Sequence, residues 1–387
     1  MRKTLYDMLY LVTCGIQQVK PQQSCVDTID WEKLYKASRA HFLNVLVGMT
    51  LKESGAKLPK EWEQALSKAV RKNVLFDVER AAVLEAFEKL GIWYMPLKGV
   101  ILKDYYPKVG MRQMSDNDIL FDAKFAGMVR EIFRERGYTD TYYGVGNHDV
   151  YEKEPVYNFE MHRKLYGEGQ EPDWVEYYSN VKDRLLKDEG NAYGYHFSDE
   201  DFYVYIISHE YKHYSGGGTG LRSLVDVHFY LQAKRNSLDF NYIEKQCEIL
   251  GIAEFEKFGR GLCKRVFEGE AKFYDEESLK KSLTAEEAEM LEYYLTSGVY
   301  GTKKRGMENR IKKFQKRTGK TGKFSFVLDR LFPDMSVYRV HYPFFYRHKW
   351  LLPVGWLFRL VRMILHPRRR ACTLEELKFL FKMKDEK

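Results

Sequence analysis

The chain has 387 residues, with 63 Lys and Arg against 55 Asp and Glu, a formal net charge of +8 at pH 7 and 15% aromatic residues, which is enough for two domains with a core each. The basic excess favours an anionic partner, for which a nucleotide suffices as well as a nucleic acid. Cys14, Cys25, Cys247, Cys263 and Cys372 form neither an even set nor a close Cys-x-x-Cys pair, which argues against a disulfide framework or a cysteine zinc site and for a reducing, cytoplasmic compartment.

Residues 1–90 read as helical. Arg2-Lys3 followed by the apolar run 5–14 mimics a signal or lipoprotein sequence, but Asp7 interrupts the run and Thr13 is not the usual small residue before the cysteine, so the segment reads as a helix of the folded protein. Asp30-Trp31-Glu32 and Pro59-Lys60-Glu61 open further helices. Trp62, Leu66, Val70 and Leu75 then recur at near-helical spacing, and the pattern continues through 81–90 as a core-facing stripe.

From residue 91 the pattern changes. Ile92-Trp93-Tyr94-Met95 runs into Pro96-Leu97-Lys98-Gly99, a strand turning sharply into a short helix, with Gly99 allowing a ligand close to the backbone. After a helix over 100–106 and a turn at 107–110, Ser115-Asp116-Asn117-Asp118-Ile119-Leu120-Phe121 ends as a buried strand, whose alternation puts Asp116 and Asp118 on one side. Carboxylates at roughly 4 Å repel by about 1 to 4 kcal/mol, depending on the effective dielectric, and need a compensating partner. A hard divalent cation is the natural one: Mg²⁺ takes one or two carboxylates with substrate phosphates, and a Gly turn offers N–H groups to those phosphates. Taken alone, an Asp-x-Asp near a glycine reads equally well as a solvated turn. A helix over 124–136 stops at Gly137, strand-like runs follow at 138–143 and 148–152, and 156–162 alternates: Tyr157, Phe159 and Met161 on one face, Asn158, Glu160 and His162 on the other.

The ordered set Leu97-Lys98-Gly99, Tyr106-Pro107, Arg112 and Asp116-Asn117-Asp118-Ile119-Leu120 resembles the bacterial nucleotidyltransferase family proteins of the DNA polymerase beta superfamily. The resemblance implies an α+β fold, with a mixed sheet and flanking helices over 91–200, helical regions at 1–90 and 201–300, and a basic linker and amphipathic tail over 301–387. It implies transfer of a nucleoside monophosphate from a nucleoside triphosphate to a hydroxyl or phosphate acceptor on a small molecule, peptide or protein. Mg²⁺ or Mn²⁺ would be held by Asp116, Asp118 and Glu160, the last matching the superfamily's third acid. Glu160-Met161-His162 fits the Glu-x-His frequent in the family. Lys98 and Gly99 would take phosphate oxygens and Arg112 would neutralise developing charge. Two departures keep a nucleotide-binding or partner-binding pseudoenzyme open: Gly99-Val100 stands where the superfamily has Gly-Ser, and Asn117 replaces an apolar residue and should point into the covered side of the sheet. If Asp118 is repelled by Asp116, Asp118→Asn should leave the fold intact or stabilise the metal-free protein.

A helix beginning near Phe202 leads into His209-Glu210-Tyr211-Lys212-His213, which matches the His-Glu-x-x-His pattern of zinc hydrolases, with Asp226 or His228 as third ligand. The nucleotidyltransferase family has a similar stretch, which instead assigns His213, Arg222 and Asp226 to the triphosphate or acceptor and leaves His209 packing. Arg222 and Asp226, four apart, also read as a helical ion pair. Amphipathic helices continue to residue 300 with breaks near Gly251 and 259–261. Residues 303–323 carry ten Lys and Arg against Glu308 alone. They read as a solvated loop or an anion-steering segment, with only Phe314 suited to stacking on RNA. The end, from Trp350-Leu351-Leu352-Pro353 through Trp356, Arg359 and Arg362 to Pro367-Arg368-Arg369-Arg370, is too short and too interrupted for a transmembrane helix. It reads as a helix packed on the domain with a basic rim, or as a peripheral contact with an anionic membrane.

Overall fold

The apolar stripes of the first ninety residues become five helices, α1 (Arg2–Gln17), α2 (Gln23–Val26), α3 (Trp31–Ala40), α4 (Asn44–Glu53) and α5 (Lys60–Leu90). In this computed structural model, which describes residues 2–167, 170–269, 276–333, 335, 337, 338, 342–365 and 370, α1 is a buried helix. The acid that interrupts its apolar run, Asp7, accepts from Lys3 one turn earlier at 2.8 Å. The 31-residue α5 follows Pro59 and ends at Gly91, whose φ of 69° gives the left-handed cap that glycine adopts without strain.

The chain divides into two compact units, one of residues 1–212 and 219–300, the other of 213–218 and 301–387. The first holds a five-stranded sheet: β1 (Tyr94–Pro96), β2 (Asn117–Phe121), β3 (Thr139–Tyr142), β4 (His148–Lys153) and β5 (Tyr157–His162), in the order β1-β2-β5-β4-β3. Only β2 and β5 pair in parallel; the other neighbours are antiparallel, so the fold is α+β with a mixed sheet. α6 (Gly99–Leu102) follows β1, and α7 (Ala126–Glu135) follows β2. Ile119, Phe121, Tyr151, Phe159 and Met161 pack on Val83 and Phe87 of α5 and Val129 and Phe133 of α7. Each such side chain contributes about 1.5 to 3 kcal/mol by leaving water. Asn117 points into this covered side, fully buried, with its Oδ1 accepting from Arg80 Nη1 of α5 at 2.9 Å. The alternation that fixes this core leaves Asp118 of β2, His148 of β4 and Glu160 and His162 of β5 on the opposite face.

Further along the first unit come α8 (Pro172–Tyr177), a two-stranded ribbon of β6 (Leu186–Lys187) and β7 (Tyr195–His196), and α9 (Asp199–Tyr214), whose last two residues belong to the second unit. α10 (Leu221–Lys234), α11 (Phe240–Ile249), α12 (Ala253–Cys263), α13 (Glu276–Lys281) and α14 (Ala285–Ser297) complete it. The break expected at 259–261 is absent, since α12 runs through it. A Cβ on Gly261 would lie 2.6 Å from Glu287 Oε1 of α14, so glycine there permits close helix packing and does not interrupt the helix.

In the second unit, the basic stretch expected as a solvated loop is helical over Lys303–Thr318, capped by Thr302 Oγ1 on Arg305 N and ended by Gly319 at φ 68°. Met307 and Phe314 pack with Phe326 of the next helix, Lys323–Leu331, with Ile311 against them. This helical apolar spacing is hidden in the sequence by the surrounding charge. Helices Pro343–Arg347 and Leu352–Leu365 follow, and no helix among the described residues is long and apolar enough to cross a membrane. Residues 367–369 of the basic ending and Cys372 lie outside the described residues.

Candidate active site

The site forms where β1 gives way to α6. Leu97 N donates to Asp118 O at 2.9 Å, holding the chain along β2, and Lys98 then turns it at φ 44°, ψ −117°. That left-handed φ is uncommon for a residue with a side chain. Lys98 Nζ donates to Asp118 Oδ1 at 2.7 Å, and His162 Nε2, from the neighbouring β5, lies 2.8 Å from the same oxygen. Burial alone would raise the Asp118 carboxyl, but Lys98 and His162 outweigh it and hold the group well below the usual carboxylate range. The ionised acid can only accept, so Nε2 of His162 carries the proton. Asp118 is therefore satisfied within the protein, and Asp118→Asn is expected to cost stability and not to be neutral or stabilising, because the change takes from the largely enclosed Lys98 ammonium its hydrogen-bonded carboxylate.

Asp116 immediately precedes β2 and is partly exposed. Burial of its carboxyl and then the charge of Asp118 push it up to about 6. Glu160 sits opposite Asp118 in the parallel register and is pushed up to about 8 by burial, then by Asp118 and Asp116. The face thus carries three carboxylates around one ammonium, and two of them resist ionisation. Hard oxygen donors are what a divalent cation requires, so these acids suit such an ion in kind, although Asp116 and Asp118 are not among the residues whose donor atoms come close enough together here to share one.

One participant escaped the sequence reading. His148 on β4 pairs with His162, and its Nε2 lies 3.8 Å from Glu160 Oε2, against 3.7 Å for Nε2 of His162. Among the described residues, His148, Glu160 and His162 form the cluster whose donor atoms lie within 4.8 Å of one another, close enough to hold a metal ion. The alternation within 148–153 was the available signal, because it puts His148 on the face opposite the buried Tyr151. Around this face, Lys212 of α9 has its pKa lowered by burial and by Lys98. Lys72 of α5 donates to Ser115 O at 3.1 Å beside Asp116.

The remaining sequence candidates divide. A Cβ on Gly99 would lie 2.5 Å from Arg112 Nη1, so this glycine makes room for a guanidinium. Arg112 in turn grips Asp226 of α10 through two bonds, Nε to Oδ1 at 2.7 Å and Nη2 to Oδ2 at 2.8 Å, and Tyr106 Oη donates to Oδ1 at 2.6 Å. Asp226 is thus taken by Arg112. Arg222 bonds Gln113 O through Nη1 at 3.4 Å, lies over the Phe42 ring at 5.1 Å and has a buried Nε without a partner among the described residues. His213 falls in the second unit. Glu210, the acid of the zinc-hydrolase pattern, is buried on α9 and accepts from Tyr294 Oη of α14; burial pushes it up to about 7. The metal-capable cluster found among the described residues does not include His209 or His213.

A family model described as uncharacterised nucleotidyltransferase matches residues 27–268, well over half of the chain. The chain belongs to this family. The match takes in every residue of the site just described and ends ahead of the basic helix. No curated protein and no solved structure matches the chain. Membership carries nucleotidyl transfer as the general activity and a nucleotide as substrate, and it gives this nucleotidyltransferase's sheet face its chemical context.

Proposed function

We propose that this nucleotidyltransferase moves a nucleoside monophosphate from a nucleoside triphosphate to a hydroxyl or phosphate acceptor, with Mg²⁺ or Mn²⁺ held by Asp116, Asp118 and Glu160. The observation that carries this reading is the set of three carboxylates around Lys98 on one sheet face, with Asp116 and Glu160 pushed to about 6 and about 8. A bound divalent ion supplies neutralisation of triphosphate charge. Asp118, kept ionised by Lys98 and His162, is the fixed anchor. Lys98 can exchange that carboxylate for a phosphate oxygen, and Arg222, with its unpartnered Nε, offers a second cation. Glu160 either ligates or takes the proton of the acceptor hydroxyl as its oxygen bonds the α-phosphorus and pyrophosphate leaves. Arg112, doubly bonded to Asp226, positions the turn from behind.

A second reading, nucleotide binding without transfer, is favoured by Val100 standing where a hydroxyl would meet phosphate and by Lys98 being paired with Asp118. Pyrophosphate release distinguishes the two. The protein is incubated with each triphosphate labelled at the α-phosphate, Mg²⁺ or Mn²⁺, and candidate acceptors. Label transferred by the wild type and lost in Asp116→Asn supports the transferase. Metal-dependent binding with no release for any triphosphate or acceptor class supports the binding protein.

A further inference from the structure

The helix Leu352–Leu365 is turned inside out relative to a core helix. Val354, Leu357, Phe358, Val361 and Leu365 are all exposed, Leu357 at 61% and Leu365 at 74%. Their spacing of 3, 1, 3 and 4 residues places them on one stripe of about 100° of the helix circumference. The inward side instead carries Gly355, where an added Cβ would lie 3.0 Å from Phe345 and 3.1 Å from Tyr338, and Trp356, whose ring meets Phe332 edge-on at 5.3 Å. Just before the helix, Phe344 and Trp350 are 60% and 77% exposed. The exposed charges nearby are Arg347, Lys349 and Arg362, all cationic.

We propose that this face lies on the surface of a bilayer rich in anionic phospholipid, with the apolar stripe entering the headgroup–acyl boundary and the cations meeting lipid phosphates. An aliphatic stripe edged by Trp and flanked, among the described residues, by cations has the composition of an interfacial helix. A nucleic acid would neutralise the cations but gives Leu357, Val361 and Leu365 no partner, since its backbone is bound through charge. The 14-residue helix is too short to span a bilayer, so the contact is peripheral. The membrane contact itself is independent of whether the sheet site transfers or only binds nucleotide.

The test is flotation of the full chain with vesicles of phosphatidylcholine alone or mixed with phosphatidylglycerol. The wild type should float with the anionic vesicles and remain below with the neutral ones. Leu357→Glu combined with Leu365→Glu, the two most exposed positions of the stripe, should reduce floating protein by more than about tenfold. Reversing Arg347 or Arg362 to Glu should reduce it by about fivefold or more per site, with high salt weakening the wild type in the same sense. The melting temperature and its response to nucleotide should be unchanged in all of these variants, which separates a lost surface from a lost fold. Wild-type protein that does not float with anionic vesicles overturns the proposal. So does a dimer in solution that the Leu357→Glu and Leu365→Glu variant dissociates, because a second copy would then be what covers the stripe.

Discussion

Asp116 and Asp118, adjacent in motif, have opposite electrostatic fates, and this yields predictions at single residues. Asp118 is held by Lys98 and His162, so Asp118→Asn should destabilise the metal-free protein by about 1.5 to 3 kcal/mol, the worth of a hydrogen bond to a charged group, since Asp116 and Glu160 still face Lys98. Asp116→Asn, which removes a carboxyl pushed up to about 6, should be neutral or stabilising at pH 7; denaturant unfolding of both variants checks the contrast. Glu160 gives a pH signature. Its folded value of about 8 lies above the ordinary carboxylate value, so the native state binds more protons than the unfolded one across that interval. Stability of the metal-free protein should therefore fall as pH rises from about 4.5 to 8, and divalent-ion affinity should rise over the same range. In Glu160→Gln the upper part of this fall, from about 6 to 8, should vanish. Melting curves in chelator from pH 5 to 9 that are parallel for both proteins would contradict the assignment. Strand period was sufficient to put Glu160 and His162 together from sequence, whereas His148 depends on the pairing of β4 with β5, which no local pattern states.

At the scale of elements, Tyr106, Arg112 and Asp226 fasten α10 behind the turn that carries Lys98 and Gly99. Removing either member of the buried Arg112–Asp226 pair should cost about 3 to 5 kcal/mol, and the double variant should cost less than the sum, a coupling that a double-mutant cycle measures. Gly99→Ala should act through the same pair by crowding Arg112 Nη1. Retained stability in Gly99→Ala would mean that the guanidinium has room to shift. Gly99 and Arg112 were both legible as special residues, but their mutual reason was not, because a contact between positions thirteen apart in chain and a helix more than a hundred residues later leaves no spacing signal. Conversely, Met307, Ile311 and Phe314 carried a helical period that ten flanking cations obscured. Glycines at 259 and 261 suggested a break, whereas the helix runs through both and Gly261 serves packing against Glu287.

Across the whole molecule, the family match covers the five-stranded sheet and the helices around it but leaves the basic and apolar C-terminal helices outside. Affinity for RNA through Lys303–Thr318, if present, should fall steeply with salt, and replacing several lysines should flatten the slope by about 0.7 to 0.9 for each phosphate no longer neutralised; a slope unchanged by those replacements would assign any RNA binding elsewhere. The purified protein should also hold little zinc, and near-stoichiometric zinc lost on His209→Ala and His213→Ala would contradict the transferase reading. The central claim is that Asp116, Asp118 and Glu160 hold the metal–triphosphate complex, and thermal melts of wild type, Asp116→Asn and Asp118→Asn test it, each compared with its own ligand-free melt, with and without Mg²⁺ or Mn²⁺ and each triphosphate. A ligand bound only by the native state at one hundred times its Kd adds about 2.7 kcal/mol. The wild type should therefore melt higher only when metal and triphosphate are present together, and neither variant should respond, whereas variants that keep the wild-type shift would show that Asp116 and Asp118 do not form the site.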